Sequence, residues 1–156
     1  MSMWRTWFIV VAIIFLGGAG LKWLQSARRR RAVQKIQETP VRISHGVYAR
    51  VMAKGKTFRG FRSGHQTKTT VDMVLTKKQF LVVSNRGTLF DIRAEAARGR
   101  IGSVRCTGPG RLLFEGERQE ANKKTTKYRV EISIPTATAW AQDLAPFADE
   151  VVVAGL

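Results

Sequence analysis

The pattern of apolar and polar positions changes character as the chain proceeds. From Trp7 to Leu24 apolar residues are nearly continuous, and Lys22 is the only charged side chain. At 1.5 Å per residue, about 18 residues cover roughly 27 Å, close to the thickness of a bilayer core. Trp4, Trp7 and Trp23 stand at its two edges, where amphipathic rings favour the interface. The pattern predicts a transmembrane helix over 7–24 behind a short extracytoplasmic N-terminus, 1–6. Residues 25–40 are polar and free of glycine. They predict a basic juxtamembrane stalk that ends before Pro40, because a residue preceding proline avoids the helical region.

From residue 41 the period shortens to two. Val47–Ala53, Thr57–Phe61, Thr69–Leu75, Phe80–Ser84, Thr88–Ile92, Arg100–Cys106, Arg111–Glu115 and Tyr128–Ile134 each read as a strand. Asn85, Arg86 and Gly87 make a tight hairpin connection, with Asn and Gly available for positive φ. The last element differs. Thr136 is placed to cap a helix from Ala137 to Ala145, with Ala137, Trp140, Ala141 and Leu144 on one face. Pro146 limits its length; the tail, 149–156, is short, and its part from Val151 to Leu156 is apolar and carries no assignment.

Charge adds the next layer. The chain carries 27 Lys or Arg against 11 Asp or Glu, a net charge of +16. The segment Val41–Ala148 holds 20 basic against 8 acidic residues, so the surplus is not confined to the stalk. Such a field draws phospholipid headgroups, nucleic acid or an acidic protein face. Arg5 precedes the apolar run, whereas Lys22 lies near its far end and Arg28, Arg29, Arg30, Arg31 and Lys35 follow it. That asymmetry predicts a single-pass protein of the inner or plasma membrane with its C-terminal domain in the cytoplasm. A cleaved signal peptide is the competing reading; the four-arginine block is a poor context for export and no small-residue cleavage site follows. The single cysteine, Cys106, excludes an intramolecular disulfide and fits a core position.

The stretch from Leu75 to Ser84, threonine then two lysines then an apolar strand, and its continuation Gly87–Ile92 resemble a hairpin of bacterial pleckstrin-homology-like (GRAM-like) domains. Val130–Ile134 followed by Thr138 and Trp140 is similar to the final strand and plugging helix of the same family. The resemblance implies a mainly β fold over 41–148: a bent antiparallel β-barrel or sandwich capped by the C-terminal α-helix, with Trp140 filling one end. It also implies a binding module whose anion site lies in the first inter-strand loop. That loop holds Lys54 and Lys56 here, with Arg50, Arg59 and Arg62 on the adjoining strands.

No catalytic constellation emerges. His45 and His65 stand apart from any carboxylate or cysteine in sequence. Asp72 and Asp91 fall at outward strand positions, where balancing nearby Arg and Lys is the expected role. Glu115, Glu117 and Glu120 flank a loop, and Gly55, Gly60 and Gly64 carry no phosphate-loop fingerprint. The sequence therefore points to a non-catalytic, membrane-anchored module without cofactor or metal. It would dock to anionic phospholipids, to a membrane-protein partner, or to both, with Arg28 to Arg31 on headgroups and Lys54, Lys56, Arg59 and Arg62 as the anion-binding face. The alternative is an accessory subunit of a larger membrane complex, with Gly17, Gly18 and Gly20 permitting close helix packing. Nucleic acid ranks below both. Arg98, Arg100, Arg105, Arg111, Lys123, Lys124 and Lys127 supply charge, but no aromatic stacking platform accompanies them.

Overall fold

Alternating burial builds one continuous sheet. The computed structural model describes residues 20–21, 23–36, 38–96, 99–119 and 125–153. A helix, α1 (residues 23–34), precedes β1 (Arg42–Lys54), β2 (Gln66–Leu75), β3 (Gln79–Ser84), β4 (Gly87–Arg93), β5 (Ile101–Cys106), β6 (Arg111–Gln119) and β7 (Thr125–Ser133). Helix α2 (Ala137–Asp143), a 3-10 turn (Ala145–Phe147) and β8 (Ala148–Val153) complete the chain. The sheet order is β4-β3-β2-β1-β7-β6-β5-β8, antiparallel throughout except for the parallel pair β5–β8. It curls into a half-barrel with helix α2 packed against β5, β6 and β8.

The concave face is aromatic. Phe80 lies 5.9 Å from Phe114, 6.4 Å from Trp140 and 6.3 Å from Phe147, ring centre to ring centre, and all four are almost fully buried. Offset and tilted rings at these separations add to the burial of their area. In β7, Tyr128, Val130 and Ile132 point inward while Lys127, Arg129 and Ser133 face water, the two-residue period that the sequence shows. Cys106 is a buried core residue. Arg42 at the start of β1 donates to the carboxylate of Asp143, tying the end of α2 to the opposite half of the sheet.

Several expectations are corrected. Most of the anticipated membrane span lies outside the described residues, and among the described residues no helix is long and apolar enough to cross a membrane. The described part of the helix carries Arg28 to Arg31. The architecture of a transmembrane helix followed by a capped barrel therefore gives way to a curled half-barrel with two helices. The tail, left without an assignment by the sequence, contributes a strand, since residues 148–153 add β8 alongside β5. Thr57–Phe61 forms no strand: Phe58 and Phe61 exchange backbone hydrogen bonds of 2.9 and 2.8 Å around a two-residue turn. Thr136 precedes α2 but its side chain makes no capping hydrogen bond.

Asp72 is the clearest reversal. It is 3% exposed. Opposite it the register of β1 shifts between Ser44 and Val47, a bulge made possible by Gly46 at φ +66°. The bulge turns the Gly46 N–H onto Asp72 Oδ1 at 2.7 Å, and His45 Nδ1 lies 3.9 Å from the same oxygen. Alternation keeps Asp72 on the face opposite Val71 and Met73, but that face is covered here, with Arg29 of α1 beside the carboxylate, and the bulge supplies the donor that a buried carboxylate requires.

Candidate functional site

The half-barrel leaves a cleft of about 1070 Å³ between β4 and the end of β6, with Tyr128 of β7 in its wall. Its floor is aromatic. Tyr128 stacks on Phe58 with centroids 4.7 Å apart and meets Phe90 edge-on at 5.5 Å. Its phenol is pushed up to about 12, chiefly by burial, against the opposing hydrogen bond from the Gly102 backbone. Gly116 makes room for that hydroxyl, for a Cβ there would sit 2.4 Å from Tyr128 Oη.

Arginines surround this floor. Arg59 stands in the turn between Phe58 and Phe61, at φ +47° and followed by Gly60 at φ +84°. Two successive positive φ values match the type I′ hairpin turn, which reverses the chain over two residues. Burying Phe58 and Phe61 on both sides of the turn leaves Arg59 projecting at the cleft. Its guanidinium is held below the usual arginine value, first by burial, then by the like charge of Arg118, with Asp91 pulling the other way. Arg93 at the end of β4 completes the set. Among the described residues, Arg59, Arg93 and Arg118 form no ion pair within 4.0 Å, whereas Arg100 is committed to Asp149 at 3.0 Å.

The other basic positions divide by their partners. Arg105 pairs with Glu150 and Arg111 with Glu131, each at 3.9 Å, and Lys127 pairs with Glu117 at 2.9 Å. These residues are already balanced by carboxylates; Arg98, Lys123 and Lys124 lie outside the described residues. Of the anticipated loop site, only Arg59 lines the cleft. Lys54 ends β1 beside a smaller hollow that also holds Glu115, Glu117 and Glu150, and Arg62 is exposed in the following segment. Lys56 sits in the same loop, half-buried.

On α1, Arg28, Arg30 and Arg31 are exposed, but Arg29 turns inward toward Asp72. Gly20 has open space around its Cα, while Gly17 and Gly18 lie outside the described residues. Sequence reasoning missed Arg93 and Arg118. Neither carries a periodic signal: Arg93 is the exposed last residue of β4, and Glu117, Arg118 and Gln119 are all exposed at the end of β6, a stretch that reads as polar loop by composition. Among the described residues no cluster of His, Cys, Asp and Glu could hold a metal ion.

No family model, characterised protein or solved structure matches this chain. The functional reading therefore rests on the cleft and its charges.

Proposed function

We propose that this chain is a non-catalytic docking module that holds an anionic partner at the basic cleft. One observation carries the reading: Arg59 and Arg118 line the same cleft, near enough for their like charges to act on each other, and among the described residues neither has a carboxylate in ion-pair range. Like charges so placed repel until an anion lies between them, so the partner gains what the free protein lacks. The aromatic floor adds apolar surface beneath the charge, the usual composition of a binding pocket.

A second surface supports contact with an anionic lipid leaflet. Arg28, Arg30 and Arg31 are exposed on α1. Each contributes up to about 1 kcal/mol beside such a leaflet.

Two probes test the assignment on the intact chain: a fluorescent oligoglutamate followed by anisotropy, and phosphatidylglycerol against phosphatidylcholine vesicles. Reversing Arg59 and Arg118 to Glu is expected to weaken the oligoglutamate at least about ten-fold. Reversing Arg28, Arg30 and Arg31 is expected to reduce only the preference for phosphatidylglycerol. Undiminished oligoglutamate binding after the cleft reversal would remove the cleft from the reading.

A further inference from the structure

Among the described residues, two strand edges bordering the cleft have no paired neighbour: β4 along its length and β6 beyond Glu115. β4 pairs with β3 alone. Ala94 N–H donates to Lys78 O at 2.8 Å, which fixes the phase of that ladder. Pairs two residues apart repeat the bonded arrangement, so Phe80 and Ile92 bond each other, while Asp91 and Arg93 direct their N–H groups away from β3. On the far side, β6 pairs with β7 as far as Gln119, but its ladder with β5 stops at Glu115 opposite Ser103. The Ile134 N–H to Gly110 O bond, 2.9 Å, sets the phase there. By the same alternation Glu117 and Gln119 turn their main chains away from β7. Asp91, Arg93, Glu117 and Gln119 all line the cleft.

We propose that the occupant is an extended acidic peptide that adds as a strand at this seam, its backbone pairing with Asp91 and with the Arg93 N–H, whose carbonyl already accepts from Ala96, and its carboxylates meeting Arg59 and Arg118. Main-chain pairing supplies affinity at an open edge, and the rim charges supply selectivity. A second copy of this chain is a poor occupant. With 27 basic and 11 acidic residues it offers no acidic segment, so charge favours a different protein. The inference rests on the anion-docking reading above and adds the identity of the ligand.

The test uses the intact chain and a labelled acidic peptide of about ten residues, enough to exceed a typical strand. A second version carries N-methyl groups on alternate amides, which deletes backbone donors and leaves every carboxylate in place. Using modified peptides leaves the folding of the protein untouched. Strand addition predicts that the methylated peptide binds at least about ten-fold more weakly. It also predicts that the Asp91 and Arg93 amides exchange hydrogen more slowly when the unmodified peptide is bound. Equal binding of the two peptides, with exchange unchanged, overturns strand addition while the anion-docking reading stands. Failure of both peptides to bind overturns the two together.

Discussion

Arg29 of helix α1 lies 3.9 Å from the buried carboxylate of Asp72 on β2, and this ion pair joins the helix to the sheet. The guanidinium Nε and Nη1 are buried without a hydrogen bond, while Asp72 Oδ1 already accepts the Gly46 N–H. The attraction is therefore one of charge at low exposure, and each partner depends on the other for neutralisation. Asp72→Ala is expected to destabilise the protein by about 2–4 kcal/mol, because it orphans both a guanidinium and a bulge N–H. The same change should free α1, so trypsin would cut faster at Arg28 to Arg31 under native conditions. A urea midpoint and cleavage rate both equal to wild type would show that the pair does not hold the helix.

The aromatic interior gives a second contrast, between a residue that fills space and one that only looks like a cap. Trp140 is 1% exposed and packs on Phe80. Trp140→Ala is expected to cost about 3–5 kcal/mol, the range for emptying a large aromatic site. Thr136→Ala, four residues earlier, is expected to change stability by less than about 0.5 kcal/mol, since no capping bond is lost. Thermal melts of the two variants check both figures, and a large loss for Thr136→Ala would mean that its hydroxyl caps the helix after all.

These two residues also show what the chain discloses by itself. Trp140 was legible because helical spacing puts it on one face with Ala137, Ala141 and Leu144, all buried. Most strands were legible for a similar reason, as β2, β3 and β7 bury residues in simple alternation or continuous runs. Asp72 was not, because its burial depends on α1 lying over the outer face of β2 and its donor on a bulge in a neighbouring strand. Arg118 and Arg93 were hidden in the same way. Their meeting with Arg59 is made by curvature of the whole sheet, and no local pattern encodes which edges stay unpaired. The turn at Arg59 was read as strand because its flanking phenylalanines have strand character, whereas its two positive φ values are a tertiary consequence of burying both rings.

Tyr128 makes stability depend on alkaline pH. Its phenol titrates near 12 in the folded protein against an ordinary value of 10.0, raised mainly by burial. The folded state thus keeps a proton that the unfolded chain releases. The resulting stability is complete below about pH 10 and is lost as pH rises toward about 12, a difference on the order of 2–3 kcal/mol. Tyr128→Phe should flatten that part of the stability curve, at a cost of about 1 kcal/mol near neutrality for the hydrogen bond from Gly102. Urea unfolding across alkaline pH measures the slope, and an unaltered slope in the phenylalanine variant would place its origin elsewhere.

Arg59 should trade stability for binding. It holds a left-handed backbone at φ +47°, a conformation that costs a side-chain-bearing residue about 1–2 kcal/mol and glycine almost nothing. Part of that gain is offset by the greater freedom of glycine in the unfolded chain. Arg59→Gly is therefore expected to raise stability by about 0.5–1 kcal/mol while weakening an acidic probe at least about ten-fold. Arg59→Lys, which keeps the charge and the strain, should match wild type in stability and retain part of the binding. Melting temperature and probe anisotropy on the three proteins separate the two effects. A glycine variant that is less stable yet binds fully would mean that Arg59 serves the turn and not the cleft.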